Sequence, residues 1–250
     1  MARTWCGALL AALAVTGLGW TSQGCGSSDD GKTVAGRTRS VAEVGSPTLL
    51  RGSLSLARLT EQVGGLSETA LAVELLAPGD ARSASLRTPL EDAAELALEA
   101  RGGGRFVLAE RGESTILETR FPPGAYTLLA VLPDGSLPTL SLDARGGFPG
   151  APVIDAPLDM ALGVPRATTI RWTAAPGTTR FDVVLSDAAS GEVVHEARDL
   201  QEVESYQVPA GVLSATTRYR LDVLAASAPA LAAVRISAGA RVVFDTGADQ

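Results

Sequence analysis

Histidine occurs once and cysteine twice in 250 residues, and aromatic side chains make up 4%. So few histidines and cysteines exclude a His-rich or Cys-rich metal cluster and a disulfide framework. So few aromatics are thin for base stacking or for a sugar-stacking cleft. Lysine is nearly absent: Lys32 stands alone, and the other 20 basic residues are arginine. With the Ala and Gly excess, that bias points to a GC-rich bacterial genome. Basic residues are also outnumbered, 21 against 28 acids, for a net charge of −7 and a pI near 4.8. Binding to phosphate backbones needs a basic face, so nucleic acid is not an expected partner. What is present is core-forming material. Hydrophobic residues are 46% and charged residues 20%, which suits a globular chain of one large or two small domains.

Catalytic constellations are also missing. There is no Gly-x-Ser-x-Gly elbow and no Gly-rich phosphate loop after a strand. His195 is the sole candidate proton shuttle, with Glu196 beside it and Asp199 near. A solvent-facing strand histidine is the plainer reading. Glu91, Asp92, Glu95 and Glu99 form an acidic cluster. Glycoside hydrolysis would need two carboxylates across a sugar cleft, so a solvated face is expected instead. Asp29-Asp30-Gly31 and Asp134-Gly135-Ser136 place oxygen donors beside Gly, without EF-hand spacing. Turn chemistry accounts for both. The expectation is a non-enzyme with no metal and no cofactor.

The first 25 residues read as an address. Arg3 gives a positive start, Cys6 to Gly19 is an uncharged apolar run, and Thr21 to Gly24 is small and polar. That is the layout of a secretory signal over residues 1–24. The run is shorter than the roughly 20 residues that span a bilayer. Removing residues 1–24 takes away Cys6 and Arg3 and no acid, so one cysteine remains and the charge moves from −7 to −8. An orphan Cys25 in an exported chain calls for a use. Ser22-Gln23-Gly24-Cys25 resembles the lipobox of bacterial lipoproteins, in which the cysteine is acylated and becomes the first mature residue. Gly24 fits that pattern; Ser22 and Gln23 depart from it, and cleavage by the general signal peptidase is the alternative. The resemblance implies a membrane partner through a lipid on Cys25. Gly26 rather than Asp after the cysteine favours the outer membrane; a periplasmic or secreted protein is the other outcome. Residues 25–46, rich in Gly, Ser and Asp, read as a flexible tether.

The rest reads as all-β: two tandem β-sandwich modules, Ig-like or fibronectin type III-like, over residues 47–145 and 152–248. In the first, Leu54–Ala57, Thr69–Leu75 and Arg105–Leu108 are short apolar or alternating pieces. Ser114–Phe121, the Pro122-Pro123-Gly124 turn and Ala125–Val131 read as a hairpin. Asp134-Gly135 turns into a strand over Leu137–Leu142. Phe121–Val131 resembles the late-strand corner of transthyretin-like and carboxypeptidase-regulatory-like sandwiches. Residues 89–101 stay open between helix and strand: Thr88-Pro89-Leu90-Glu91 has capping-box spacing, yet Glu95–Ala100 alternates. A strand pairing with Arg105–Leu108 is slightly preferred. Arg145–Pro152, rich in Gly and Pro, marks the boundary.

In the second module, Thr169–Trp172, Arg180–Leu185, Glu192–Glu196, Ser205–Val208 and Arg241–Asp245 read as strands. Leu213 and Tyr219 have the six-residue spacing of a tyrosine corner, and Leu221 and Val223 continue the inward face. This set resembles the fibronectin type III domain. The resemblance makes Trp172, Leu213 and Tyr219 structural core rather than a binding patch. It implies a non-catalytic binding, scaffolding or spacer module whose partner is another envelope protein or a surface polymer. An accessory subunit of an envelope enzyme or export assembly is the alternative. The candidate binding loops are Ala174–Thr179, Asp187–Gly191 and Ser227–Ala240.

Overall fold

A computed structural model describes residues 50–92 and 94–248. The signal reading (1–24), Cys25, the tether (25–46) and Asp29-Asp30-Gly31 lie outside the described residues. The described chain is all-β: two β-sandwiches in tandem, joined through one sheet that runs across both.

The first half holds β1 (Arg51–Glu61), β2 (Ser67–Leu76), β3 (Ser83–Arg87), β4 (Leu96–Ala97), β5 (Glu99–Gly102), β6 (Arg105–Glu113), β7 (Ala125–Val131) and β8 (Thr139–Asp143), with one short helix, α1 (Ser114–Arg120). Strands β1-β2-β6-β5 face a second sheet, β4-β3-β7-β8. Alternation drives this pairing. In β7, Tyr126, Leu128 and Ala130 point inward at period two, against Leu54, Leu56, Leu71 and Val73 of the facing sheet. Tyr126 is fully enclosed and donates its hydroxyl to the Pro122 carbonyl at 2.7 Å. Burial pushes that phenol well above its ordinary pKa.

Two expectations need correction or completion here. Ser114–Phe121 is not the first arm of a hairpin; Ser114–Arg120 is helix α1. Thr115 and Ile116 favour strand locally, but Ser114, Leu117, Glu118 and Phe121 recur at helical spacing. The helix sets Leu117 and Phe121 into the first core. It also sets Glu118 against Arg58, whose Nε lies 2.7 Å from Glu118 Oε1, and against Thr69, whose hydroxyl donates at 2.9 Å. Tertiary contacts override the local preference. Over 89–101 the structure has strand in two pieces. β4 pairs with β3, and β5 pairs with β6 across the Gly102–Gly104 turn. The chain passes from one sheet to the other at buried Leu98.

Residues 144–152 carry no strand or helix, but they are pinned. Phe148 packs on the first core, and the Arg58 guanidinium lies 4.2 Å from its ring centroid. The second half then holds β9 (Val153–Ala156), β10 (Ala161–Val164), β11 (Thr169–Thr173), β12 (Arg180–Asp187), β13 (Val193–Gln201), β14 (Ser205–Gln207), β15 (Arg218–Ala226) and β16 (Val234–Thr246). A three-stranded sheet, β14-β11-β9, faces β13-β12-β15-β16. Phe181, Val183 and Leu185 of β12 and Leu221, Val223 and Ala225 of β15 fill the space between.

The join is made by strands rather than by the linker. β1 runs parallel to β16 over eight register positions, from Leu54 beside Val234 to Glu61 beside Arg241. Beyond that point Met160 N donates to the Val243 carbonyl, Asp159 Oδ1 accepts Val243 N, and β10 takes over the pairing. The outer edge of β16 is thereby used along its length, which removes a free edge. Gln62 extends the seam: its Nε2 donates to the Ile154 carbonyl at 2.8 Å, and its Oε1 accepts Ile154 N at 2.9 Å. Ile236, on β16, packs in the first core.

This corrects the loop expected at Ser227–Ala240. Only 227–233 is loop; Val234–Ala240 is the first half of β16. The Ala-rich stretch is a strand because small side chains admit a neighbour on each side. A Cβ at Gly239 would stand 2.6 Å from the Val223 carbonyl oxygen and 3.0 Å from Leu59 Cδ2. Gly239→Val should therefore destabilise the protein by about 1–3 kcal/mol through overpacking, read as a lower urea midpoint. Leu71→Ala in the first core should cost about 2–5 kcal/mol. In protein lacking residues 1–24, Trp172 is the only tryptophan. Its fluorescence, in the second core, should shift as far as the circular dichroism signal, because the seam couples the halves.

Candidate functional site

The residues singled out in the sequence do not converge. Cys25 lies outside the described residues. Trp172, Leu213 and Tyr219 sit in the second core at 1%, 1% and 2% exposure. Trp172 packs at 5.4 Å on Phe181, and Tyr219 Oη accepts Ser214 N at 2.8 Å. That bond closes the corner between the 213–217 segment and β15. His195, Glu196 and Asp199 part company although all three are on β13. His195 Nε2 lies 2.7 Å from Tyr206 Oη and stacks on its ring, tying β13 to β14 across the sandwich. Glu196 pairs with Arg198, and Asp199 accepts Ala230 N. The acidic cluster is likewise dispersed. Glu95 pairs with Arg87 and Ser85, whose hydrogen bonds hold its carboxyl below the usual range. Among the described residues no three His, Cys, Asp or Glu side chains stand close enough to hold a metal.

The expected loops are also self-contained. In Asp187–Gly191, Asp187 Oδ1 accepts Ser190 N and Ala189 N, which lowers its pKa. Asp134 Oδ1 accepts Ser136 N at 2.9 Å in the same manner. Ala174–Thr179 is closed by Thr178 bonding back to the Ala175 carbonyl. Only the 227–233 loop borders something larger.

That feature is a cavity of about 800 Å³ on the face of the long sheet turned away from both cores. Its lining runs from Glu196 and Arg198 on β13 to Glu99 and Arg101 on β5, so the sheet is concave across its whole width. The floor is aliphatic: Ala57 and Leu59 on β1, Val184 on β12, Leu224 on β15 and Ala109 on β6. Ala230 and Ala232 of the 227–233 loop form part of one wall.

The polar lining is arginine matched to carboxylate. Arg101 pairs with Glu99 at 2.8 Å, Arg105 with Glu74 at 2.7 Å, and Arg198 with Glu196. Arg235 lies 2.9 Å from Asp182 and 3.6 Å from Asp199. Asp222 accepts Arg241 Nε at 2.6 Å and Nη2 at 2.9 Å. Arg241 in turn lies 3.5 Å from Glu68, which pairs with Arg111. Each carboxylate in the lining has its arginine.

Arg220 is the exception. It is 4% exposed, lines the cavity, and makes no hydrogen bond or ion pair among the described residues. Burial holds its guanidinium below its ordinary pKa, and the charge of Asp222 works against that. Asp222, its neighbour on the same face of β15, spends both oxygens on Arg241. Sequence reasoning missed this set. Arg220 and Asp222 alternate with Leu221 and Val223, the pattern of a strand with a wet outer face. The available signal was charge at outward positions of two central strands, β15 and β16, where a wet face is hard to keep.

No family model matches the chain. No curated protein matches it either. Solved structures similar to it include two of fibronectin type III domains. One is a two-domain fibronectin type III segment from chicken tenascin, 13% identical, covering 76% of this chain and 99% of that one, with a TM-score of 0.30. The other is the FN1-FN3 portion of chicken CNTN1, also 13% identical, covering 81% of this chain and 67% of that one, with a TM-score of 0.31.

The two buried charges on β15 should respond oppositely to removal. Asp222→Ala leaves buried Arg241 without its bidentate partner and should cost about 3–5 kcal/mol. Arg220→Met removes a buried charge that has no acceptor. It should leave stability unchanged or raise it by about 1 kcal/mol, roughly 2–4 °C in melting temperature. Calorimetric melts of the two variants check both signs.

Proposed function

We propose that this is a non-catalytic binding protein of a bacterial cell envelope, held by a lipid on Cys25 and taking its partner on the concave face of the shared sheet. The observation that supports binding is the cavity of about 800 Å³ with a buried, unpaired Arg220 in its lining. Ligand sites are concave, largely apolar and provided with a few fixed polar groups. The seam between β1 and β16 supports a rigid platform, since eight register positions hold the two halves of the floor together.

The anchor reading rests on the orphan Cys25 after an apolar run and ahead of a Gly, Ser and Asp tether. Two acyl chains or more give stable membrane attachment, since each buried CH₂ contributes roughly 0.8 kcal/mol. Intact mass of the native protein is expected to show a chain that begins at Cys25 and carries acyl groups. In detergent partitioning, wild type should enter the detergent phase and Cys25→Ser should stay aqueous. An unmodified terminus with both forms aqueous would replace the anchored protein with a free exported one.

A further inference from the structure

We propose that the concave face is a carboxylate site, in which Arg220 holds the acid group of an organic monocarboxylate with an aliphatic body. The proposal deepens the reading of this face as the binding surface and is independent of the anchor at Cys25.

Arg220 stands on β15 with its head group unpaired. Its Nε is enclosed and has no acceptor, and its guanidinium forms no ion pair among the described residues. A buried charged group without hydrogen bonds is costly, more so than a neutral one. Asp222 and Glu68 offset part of that cost through space, but neither accepts a hydrogen bond from Arg220, because both are bound to other arginines. An incoming anion would relieve it. A planar guanidinium matches a carboxylate with two parallel hydrogen bonds.

Five acids, Asp182, Asp222, Glu196, Glu74 and Glu99, and five arginines line the cavity. Among the described residues Arg220 is the one of these arginines without a carboxylate partner. One guanidinium takes one carboxylate through two parallel hydrogen bonds. A phosphate dianion would bring a second negative charge beside five carboxylates, and among the described residues no second unpaired arginine lines the cavity to meet it.

The apolar floor sets the body of the ligand. Leu224 lies on the same face of β15 as Arg220, four residues further along, and Val184, Ala57 and Leu59 continue the apolar floor. An acid held by Arg220 would lay its chain across these side chains, gaining roughly 25 cal/mol for each Å² of apolar surface buried. The cavity volume lies in the range of small-molecule sites. The carboxylate could be a free organic acid or an acidic side chain of a protein segment, and the two sources share this chemistry.

The test titrates carboxyl-¹³C octanoate into the body of the protein and follows the carbonyl shift. Wild type should give a saturable shift. Arg220→Met should bind at least tenfold more weakly while keeping or raising its melting temperature. Leu224→Trp is the second variant: Leu224 is half-buried, lines the cavity on the same face of β15 as Arg220 and belongs to neither core. Its bulk should abolish the shift whatever Arg220→Met does to the fold. Octanol and octyl phosphate should each bind at least tenfold more weakly than octanoate. A capped alanine heptapeptide with one central glutamate forms the other arm. If it competes through Arg220 more tightly than octanoate, the carboxylate comes from a protein segment and the site stands. No saturable shift with either probe, or equal binding by Arg220→Met, overturns the proposal. Tighter binding of octyl phosphate overturns the carboxylate class and leaves the concave face as a binding surface.

Discussion

The parallel pairing of β1 with β16 is the constraint on which the rest depends. Two sandwiches on a Gly and Pro linker would ordinarily move against each other. Here the first strand of one half is hydrogen-bonded to the last strand of the other, from Leu54 beside Val234 to Glu61 beside Arg241. The seam needs small residues on β16, and Ser237, Ala238, Gly239 and Ala240 supply them. It needs a tie at its end, and the Gln62 amide acts there as a stand-in for a strand residue against Ile154. A continuous sheet of this width twists and coils. Its outer face therefore becomes concave, and the cavity exists because the seam does.

The same geometry explains the charge inside. Outward positions on a lone sandwich would be wet, and charged residues there would contribute little. Once the sheet curls, Arg241, Asp222, Arg235 and Asp182 are taken from water. They persist as matched pairs, since an arginine buried alone is expensive. The network is thus a consequence of joining two modules through a strand edge. Arg220 stands outside that matching and gives the face its chemical direction.

Much of the fold was legible in the sequence because its signals are local. Alternation marks β7, β11 and β15, and the spacing of Leu213 and Tyr219 marks a corner that the backbone closes at Ser214. What was not legible depends on distant partners. Helix α1 reads as strand from Thr115 and Ile116, and the first core that takes Leu117 and Phe121, with Arg58 and Thr69 against Glu118, explains why it winds. The first half of β16 reads as an Ala-rich loop because its partner, β1, lies some 180 residues earlier in the chain. The candidate site was invisible for the same reason. Period-two patterning says which face a side chain occupies, but not that joining a second module makes that face concave.

Parallel pairing also fixes which way the body stands. The chain enters the sheet at Arg51, three residues before the point where Leu54 meets Val234, while Thr246 lies at the other end of β16. Twelve residues of strand separate Val234 from Thr246, roughly 40 Å at about 3.3 Å each. The entry point is therefore beside the 227–233 loop, whose Ala230 and Ala232 wall the cavity. With Cys25 anchored as proposed, the anchored end of the chain would join the body on the side of this wall. Molecules leaving the bilayer would meet the near mouth at high effective concentration. Those from the surrounding compartment would approach from the far end, so the direction of one strand would decide which supply the protein samples first.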